Sequence, residues 1–256
     1  MKTQRQEYIL QQLDRYGSVK VHDLSEQLEC SQVTIRNDIQ ALEDKGLVKR
    51  THGGAVKVRE KERLSVSIDA GNIYKNSEPK KRIAIKAAEF IDDGDTIILD
   101  DSSINYYLAL ELTKYSEKHL VVITNSITVA AVLSDVPNIN VFMTGGQIAG
   151  KMPAAMGDIA VEVVRRFHAN KAFISAYGIN FDAGVTSIGS PQMQVKKAIL
   201  EVSDEINLLV DSSKFGGGYI MVVCPLEKIT RIITDDGISE EYRKMAHQKN
   251  VDMEIV

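Results

Sequence analysis

Short apolar runs alternate with helical patterns through the last two-thirds of the chain, and this alternation limits the possible folds more than any other feature. Runs of four to six mostly apolar residues, such as residues 96–99 and 120–123, are each followed by a stretch whose apolar residues lie three and four apart. Uninterrupted apolar strands are typical of parallel sheets, because helices cover both faces of such sheets. The pattern predicts an α/β fold over residues 79–256, with a mostly parallel sheet between helices.

The first sixty residues follow a different plan, with three short amphipathic stretches separated by turns. Before the third stretch, Ser31 stands where an N-cap is expected, since its hydroxyl can accept an unpaired backbone N–H. Ile35, Ile39 and Leu42 then form an inward face at helical spacing. Two short helices, a tight turn and a third helix with a polar outward face predict a helix-turn-helix. The alternative is a three-helix bundle whose polar face is only solvated.

The outward face of this third helix carries amide, hydroxyl and guanidinium groups, which can hydrogen-bond the edges of DNA bases. Contacts to the major groove are expected mainly from the N-terminal half of the helix. Arg36 suits either a guanine or a phosphate, and the sequence leaves both open. The predicted DNA-binding residues of this helix are Gln32, Val33, Thr34, Arg36, Asn37 and Gln40.

A hairpin is predicted directly after the helix-turn-helix. Two strand-like pieces within residues 47–58 flank the pair Gly53-Gly54, which is a turn signal. The basic side chains Lys49, Arg50 and His52 line this hairpin, as expected of a wing that touches the phosphate backbone. Taken alone, His52 fits an ordinary turn histidine equally well.

Charge differs in sign between the two parts of the chain. The whole chain has 31 Lys and Arg against 35 Asp and Glu, a net charge of −4, which by itself argues against a nucleic-acid binder. The first 63 residues, however, hold 12 basic against 10 acidic residues, a net charge of +2, and the remainder therefore has −6. This mild asymmetry has the direction expected of a DNA-binding head on an acidic body.

Several other classes of protein are excluded by the sequence. The two cysteines are far apart and the five histidines are scattered, so no disulfide framework, metal site or cofactor is expected. No apolar run approaches the roughly 20 residues that span a bilayer, and the charged start lacks a signal peptide. The protein is predicted to be cytoplasmic and not to associate with membranes.

Polar residues follow the predicted strands where each strand ends. Ligands of open α/β sheets bind beyond these carboxyl ends, and hydroxyls, glycines and helix starts suit a phosphate there. Asp100 and Asp211 are expected to hold sugar hydroxyls, and Lys196 and Lys214 to meet an anionic group. Each residue alone fits a routine helix cap equally well. The predicted effector-binding residues are Asp100, Ser102, Ser103, Thr124, Asn125, Gly145, Gly146, Lys196, Asp211 and Lys214.

These motifs together resemble the DeoR family of bacterial transcriptional regulators. In the head the resemblance is carried by residues 31–39 and by the Gly53-Gly54 hairpin, and in the body by the strand ends at residues 97–100, 123–126 and 211–215. It implies a winged helix-turn-helix and a sugar-phosphate sensor domain, whose fold is shared with ribose phosphate isomerases, glucosamine phosphate deaminases and coenzyme A transferases. Where the family usually has Asp-x-Gly-Ser-Thr, residues 100–104 read Asp-Asp-Ser-Ser-Ile.

The resemblance implies a domain plan and a function. Residues 1–58 are expected to bind double-stranded operator DNA, residues 59–78 to form a linker, and residues 79–256 to bind a sugar-phosphate effector and to form a dimer or tetramer. The expected function is a repressor of a carbohydrate or polyol operon and not an enzyme. The alternative is a sugar-phosphate isomerase or deaminase with a DNA-binding head. Asp38, an acidic residue that the family shares, is expected to hold Arg36 or to cap part of the head.

Overall fold

The structure is a computed structural model of the 256-residue chain, and it divides into two compact units, Met1–Ala70 and Gly71–Val256. It describes residues 5, 6, 8–10, 12, 13, 18–28, 30–43, 48–51, 53–57, 76–149, 152–218 and 221–256. Most of the predicted linker lies outside the described residues, so the boundaries at residues 58 and 78 stay a prediction.

The first unit, the head, combines helices with a small antiparallel sheet. Its helices are α1 (Val21–Gln27) and α2 (Gln32–Glu43), and the described residues between 5 and 13 are helical as well. Its strands, in the sheet order β1-β3-β2, are β1 (Ser18–Lys20), β2 (Val48–Thr51) and β3 (Gly54–Lys57). Ile9, Leu13, Leu24, Ile35 and Ile39 are fully buried in one core, which confirms the predicted inward face of the third helix.

Strand β1 was not predicted from the sequence, and it explains one of the two hairpin glycines. Gly54 pairs with Lys20 across β1 and β3, and a Cβ on Gly54 would lie 1.8 Å from the backbone oxygen of Val19. Only glycine permits this close approach of the two strands. Gly54 is therefore part of β3, and Gly53 alone of the pair lies in the turn.

The second unit, the body, is built on a seven-stranded parallel sheet, which confirms the predicted α/β fold. The strand order is β15-β14-β12-β9-β4-β5-β6. Its strands are β4 (Thr96–Leu99), β5 (Leu120–Thr124), β6 (Ile139–Met143), β9 (Ala169–Ile174), β12 (Ser203–Leu209), β14 (Arg231–Thr234) and β15 (Met253–Ile255). Five neighbouring strands each contribute a residue to one buried cluster. In the order of the strands in the sheet, these residues are Ile232, Leu208, Ile174, Ile98 and Ile123.

Helices cover both faces of this sheet. They are α3 (Ser77–Ala88), α4 (Ser103–Leu112), α5 (Ile127–Leu133), α6 (Asp158–Val164), α7 (Ser190–Glu201) and α8 (Glu240–Gln248). From β4 to β6 the chain steps across the sheet in one direction, and from β9 to β15 it steps in the other. Right-handed crossovers therefore place α4 and α5 on one face and α7 and α8 on the opposite face.

Two smaller β elements were not predicted. The hairpin of β7 (Gln147–Ala149) and β8 (Ala154–Met156) follows the end of β6. An antiparallel sheet is formed by β10 (Gly178–Asn180), β11 (Gly184–Ser187) and β13 (Met221–Cys224). Both elements insert between strands of the main sheet in the sequence.

Candidate functional site

The recognition helix α2 presents an exposed polar face, as predicted. Its N-cap is Ser31, whose Oγ accepts the backbone N–H of Thr34 at 3.1 Å. The side chains of Gln32, Arg36 and Asn37 are exposed, and Val33 is 61% exposed. An exposed valine beside long polar groups suits the apolar contact that a thymine methyl offers in the major groove.

Two other predicted DNA-contacting residues of α2 are half-buried and already engaged. The Thr34 hydroxyl lies 2.9 Å from the Ser31 hydroxyl. The Gln40 side-chain oxygen accepts a hydrogen bond from Arg50 Nη1 on β2. These contacts place both side chains at the flank of the helix, and their roles in DNA binding stay predictions.

One of the two sequence-based alternatives for Asp38, that it holds Arg36, is wrong. The Asp38 carboxylate is buried and accepts a hydrogen bond from Arg5 Nε at 2.8 Å. This bond raises the pKa of Arg5, with the charge of Asp38 adding to the effect and desolvation opposing it. Asp38 therefore ties the first helical segment to the recognition helix from the inside of the head.

The wing lies beside the recognition helix and shares a hollow with it. The backbone N–H of Arg50 donates to Glu43 Oε1 at 2.8 Å, which fixes β2 to the end of α2. Arg36, Arg50, Gly53 and Gly54 are among the residues that line an open hollow. Lys49 belongs to β2, but its side chain lies outside the described residues, as does His52.

In the body, the predicted effector-binding residues follow strands whose carboxyl ends share one edge of the sheet. The direction of chain travel reverses between β4 and β9, which lie side by side at the centre. Such a switch point leaves a crevice beyond the strand ends, where ligands of α/β sheets bind. Asp100 follows β4 and Ser175 follows β9, and the backbone N–H of Ser175 donates to Asp100 Oδ2 at 2.8 Å.

A buried ion pair occupies this switch point. Lys196 Nζ on α7 contacts Asp100 Oδ2, and both side chains are buried. The other carboxylate oxygen, Oδ1, accepts from the Ser102 N–H at 3.0 Å and from Asn105 Nδ2 at 2.7 Å. Asp100 and Lys196 thus contact each other and the loop backbone, and their contact with an effector stays a prediction.

Charges around the pair alter the pKa values of two groups. Burial on its own lowers the pKa of Lys196, yet the charges of Asp100 and Asp101 together raise that pKa above its ordinary value of 10.5. Burial also raises the pKa of Asp101 above its ordinary value of 3.8, with Lys196 opposing this effect and Asp100 adding to it. Asp101, which we did not predict as a site residue, is therefore the group of this cluster whose ionisation folding disfavours.

The hydroxyl and amide residues at this edge mainly organise its loops. Ser102 caps α4 by accepting the N–H of Asn105 at 3.2 Å, and Ser103 is the first residue of that helix. Thr124 is buried and donates to the backbone oxygen of Leu99 at 2.7 Å. Asn125 Nδ2 donates to the backbone oxygen of Ala155 at 3.2 Å, while Asn125 Oδ1 is buried without a partner among the described residues.

Gly145 and Gly146 form the turn that leads from β6 into the β7–β8 hairpin. Both have positive φ angles, of 66° and 118°. A Cβ on Gly146 would lie 2.7 Å from the backbone oxygen of Met156, whereas a Cβ on Gly145 would meet nothing within 4 Å. Gly146 is therefore required by the hairpin itself, independently of any ligand.

Asp211 and Lys214 lie at the end of β12, two strands from β4. Asp211 Oδ1 accepts from the backbone N–H of Ser213 at 3.1 Å and from Asn76 Nδ2 at 3.4 Å. Lys214 is half-buried, and its ammonium has no partner among the residues that the structure describes. Of the two predicted lysines, Lys214 is thus the one with a cation available to an anionic ligand.

The described residues show neither a metal centre nor a membrane-spanning helix, and two residues of the edge were not predicted. No group of His, Cys, Asp or Glu in the described part of the chain is arranged to hold a metal ion. No helix there is long and apolar enough to cross a membrane. Asn105 was missed because an amide within a helix carries no distinguishing pattern, and Ser175 because the sequence predicts a strand over residues 172–175 that includes it, whereas β9 ends at Ile174.

Comparison with known families accounts for both units. A model described as the DeoR-like helix-turn-helix domain matches residues 5–61, and the DeoR C-terminal sensor domain matches residues 75–236. Among solved structures, ribose 5-phosphate isomerase A from Methanocaldococcus jannaschii is 19% identical and aligns over 55% of each chain, with a TM-score of 0.41.

Similar regulators match along almost their whole length. YulB, an HTH-type transcriptional regulator of Bacillus subtilis, is 34% identical over 99% of this chain and 96% of its own. The lactose phosphotransferase system repressor of Lactococcus lactis is 32% identical over 94% of both chains. The L-fucose operon activator of Haemophilus influenzae is 30% identical over 96% of this chain and 97% of its own. With a sensor-domain match over most of its length and relatives of this identity, the chain belongs to the DeoR family of helix-turn-helix transcriptional regulators.

Proposed function

We propose that this chain represses a carbohydrate or polyol utilisation operon and that a phosphorylated sugar releases it from its operator. The observation that carries the proposal is the union of two parts in one chain. The head exposes Gln32, Arg36 and Asn37 on a recognition helix, and the body gathers polar strand ends at a topological switch point. A regulator that responds to a metabolite requires both a DNA-binding domain and a domain with a ligand-binding fold.

The proposed effector site extends along the carboxyl edge of the sheet. Lys214, whose ammonium is free of partners among the described residues, supplies a cation for a phosphate. The helix start at Ser102 and Ser103 adds backbone N–H groups, and Asn125 offers a buried unpaired amide oxygen for a sugar hydroxyl. Asp100 and Lys196 hold these loops in place through their own contacts.

The names of two relatives support a carbohydrate system as the target of control and leave the direction of control to be tested. One of them is named a repressor of a lactose phosphotransferase system and another an activator of an L-fucose operon. Release from the operator requires that the effector bind the DNA-incompetent arrangement more tightly than the DNA-competent one. The proposed active form is a homo-oligomer, a dimer or a tetramer, on double-stranded DNA in the cytoplasm.

A thermal-shift screen tests the effector half of the proposal. The full-length chain is melted with a panel of phosphorylated sugars and polyols, each beside its unphosphorylated counterpart. A ligand of the native state raises the melting temperature with the logarithm of its concentration. We expect one phosphorylated compound to do so, its counterpart to have little effect, and Lys214→Ala to remove the shift. An unphosphorylated compound acting equally well would remove the phosphate from the proposal.

The alternative, a sugar-phosphate isomerase or deaminase, is favoured by one observation. The structure brings Asp100, Asp101 and Lys196 together at the switch point. Against an enzyme, the regulators described above match along almost the whole chain. A direct isomerase and deaminase assay of the purified chain distinguishes the two functions. We expect no turnover, whereas turnover that Asp101→Asn abolishes would establish that the chain is an enzyme.

A further inference from the structure

The arginines that the structure describes divide into two groups, according to whether a carboxylate forms an ion pair with them. Of the eight arginines that the structure describes, six form ion pairs with Asp or Glu side chains. These six are Arg5, Arg82, Arg165, Arg166, Arg231 and Arg243. Arg36 and Arg50 form no such pair with any described residue.

Arg36 and Arg50 line the same hollow. Arg36 on α2 and Arg50 on β2 are both exposed, and both line the open hollow between the recognition helix and the wing. Each is held by a neutral amide: Arg36 Nη2 donates to Gln32 Oε1 at 3.4 Å, and Arg50 Nη1 donates to Gln40 Oε1. An amide oxygen orients a guanidinium without cancelling its charge.

Two guanidinium groups that form no ion pair with a described residue line one hollow, and this favours an anion within it. The planar guanidinium fork matches the oxygens of a phosphate, and such charge-assisted bonds are stronger than neutral ones. Gly53 and Gly54 also line the hollow and place no side chain in the path of a ligand. DNA offers a regular array of phosphates to a helix in its groove, and these contacts fix the register of the protein.

We propose that Arg36 and Arg50 together clamp one phosphodiester group of bound DNA and that Gln40 is a positioning residue, which directs Arg50 towards it. The inference rests on the proposed DNA binding and deepens it. It resolves the two roles that the sequence left open for Arg36 in favour of the phosphate. Base recognition then depends on the exposed neighbours Val33 and Asn37.

The test measures DNA affinity with and without sequence preference. Fluorescence anisotropy of the full-length chain is recorded with a random-sequence duplex and with a duplex that the chain selects from a random library, over a series of KCl concentrations. Arg36→Ala and Arg50→Ala should each weaken binding roughly tenfold on both duplexes. Each should also make the salt dependence shallower. The double variant should lose less than the product of the single losses, because both arginines serve one phosphate.

Variants of Gln40 test the positioning role. Gln40→Ala should weaken binding less than Arg50→Ala does, since the arginine remains but is no longer directed. Gln40→Glu gives Arg50 the carboxylate partner that the six paired arginines have, and should weaken binding more than Gln40→Ala. The control is Arg165→Ala, which removes an exposed arginine of the body that is paired with Glu201 and should leave affinity and salt dependence unchanged.

The possible outcomes separate the clamp from the DNA binding on which it rests. If Arg36→Ala weakens only the selected duplex, Arg36 reads a base and the clamp is wrong. Strictly multiplicative losses in the double variant would also overturn it. If the unaltered chain binds neither duplex, the proposed DNA binding itself fails. Both arginines are exposed, so the variants should fold, and Arg36→Lys, which keeps the charge without the fork, should show an intermediate loss.

Discussion

At the scale of single residues, the Asp100–Lys196 pair is the contact on which the proposed effector edge depends most. Asp100 joins the end of β4 to Ser175 after β9, to the start of α4 and to Lys196 on α7. Desolvating both charges is costly, and here the pair and its backbone donors offset that cost. Removal of one partner leaves the other charged, buried and unpaired.

Lys196→Met is therefore expected to lower the free energy of unfolding of the body by about 3–5 kcal/mol, the usual cost of breaking a buried pair. Urea denaturation followed by circular dichroism measures it. The matched control is Lys214→Met, which alters a half-buried lysine without a partner among the described residues and should cost no more than about 0.5 kcal/mol. Equal losses in the two variants would show that the pair contributes nothing to stability.

The raised pKa of Asp101 predicts a pH dependence. Burial is the main cause, and a carboxyl whose pKa is higher in the folded state stabilises most below its ordinary value of 3.8. That contribution is lost as the pH rises through the raised pKa. The amide of Asp101→Asn does not ionise, so the variant does not lose this contribution. Its free energy of unfolding should therefore increase relative to that of the original chain as the pH rises from about 4 towards neutrality. A gap between the two unfolding free energies that stays constant with pH would contradict this.

At the scale of elements, the wing depends on a close contact between β1 and β3. Gly54→Ala would place a Cβ 1.8 Å from the Val19 oxygen and separate the strands. A Cβ on Gly53, in contrast, would meet nothing within 4 Å. We expect Gly54→Ala to abolish binding to the selected duplex while the body keeps its melting temperature. Gly53→Ala should bind almost normally. Anisotropy and a thermal melt measure both effects, and a fully active Gly54→Ala chain would mean that the wing sheet is not needed.

Elements with strong local patterns were predictable from the sequence, and elements formed by distant pairing were not. The strand predicted at residues 96–99 is β4 as observed, because a short apolar run between helices has few other solutions. β1, β7 and β10 have only three residues each and no apolar alternation, so only their tertiary partners define them. The helix α4, which follows β4, ends at Leu112, because residues 113–117 are mostly polar.

The candidate sites were predictable as locations and not as contacts. Strand ends marked Asp100 correctly as a residue at the carboxyl edge of the sheet, because parallel strands share that edge. Its pairing with Lys196, 96 positions away, depends on how α7 crosses the sheet, which no local pattern reveals. In the head, likewise, Asp38 meets Arg5 and not its sequence neighbour Arg36, because Asp38 lies on the buried face of α2.

At the scale of the whole molecule, the weak net charge of the head limits what one copy can do. The net charge of +2 over the first 63 residues and of −6 over the remaining residues provides little general attraction to DNA, so tight binding should require linked copies. Light scattering after size exclusion should give two or four times 28.4 kDa. A mass of one chain at concentrations that saturate DNA would contradict the proposed oligomer.

We propose, above all, that the head binds DNA and that a metabolite bound to the body of the same chain controls this binding. The most direct test of this control is the anisotropy of the full-length chain on its selected duplex, titrated with the phosphorylated compound that raises its melting temperature. We expect the compound to weaken binding at least several-fold, and Lys214→Ala to bind the duplex normally but no longer to respond to the compound. Unchanged DNA affinity at a saturating concentration of the compound would show that the body does not control DNA binding.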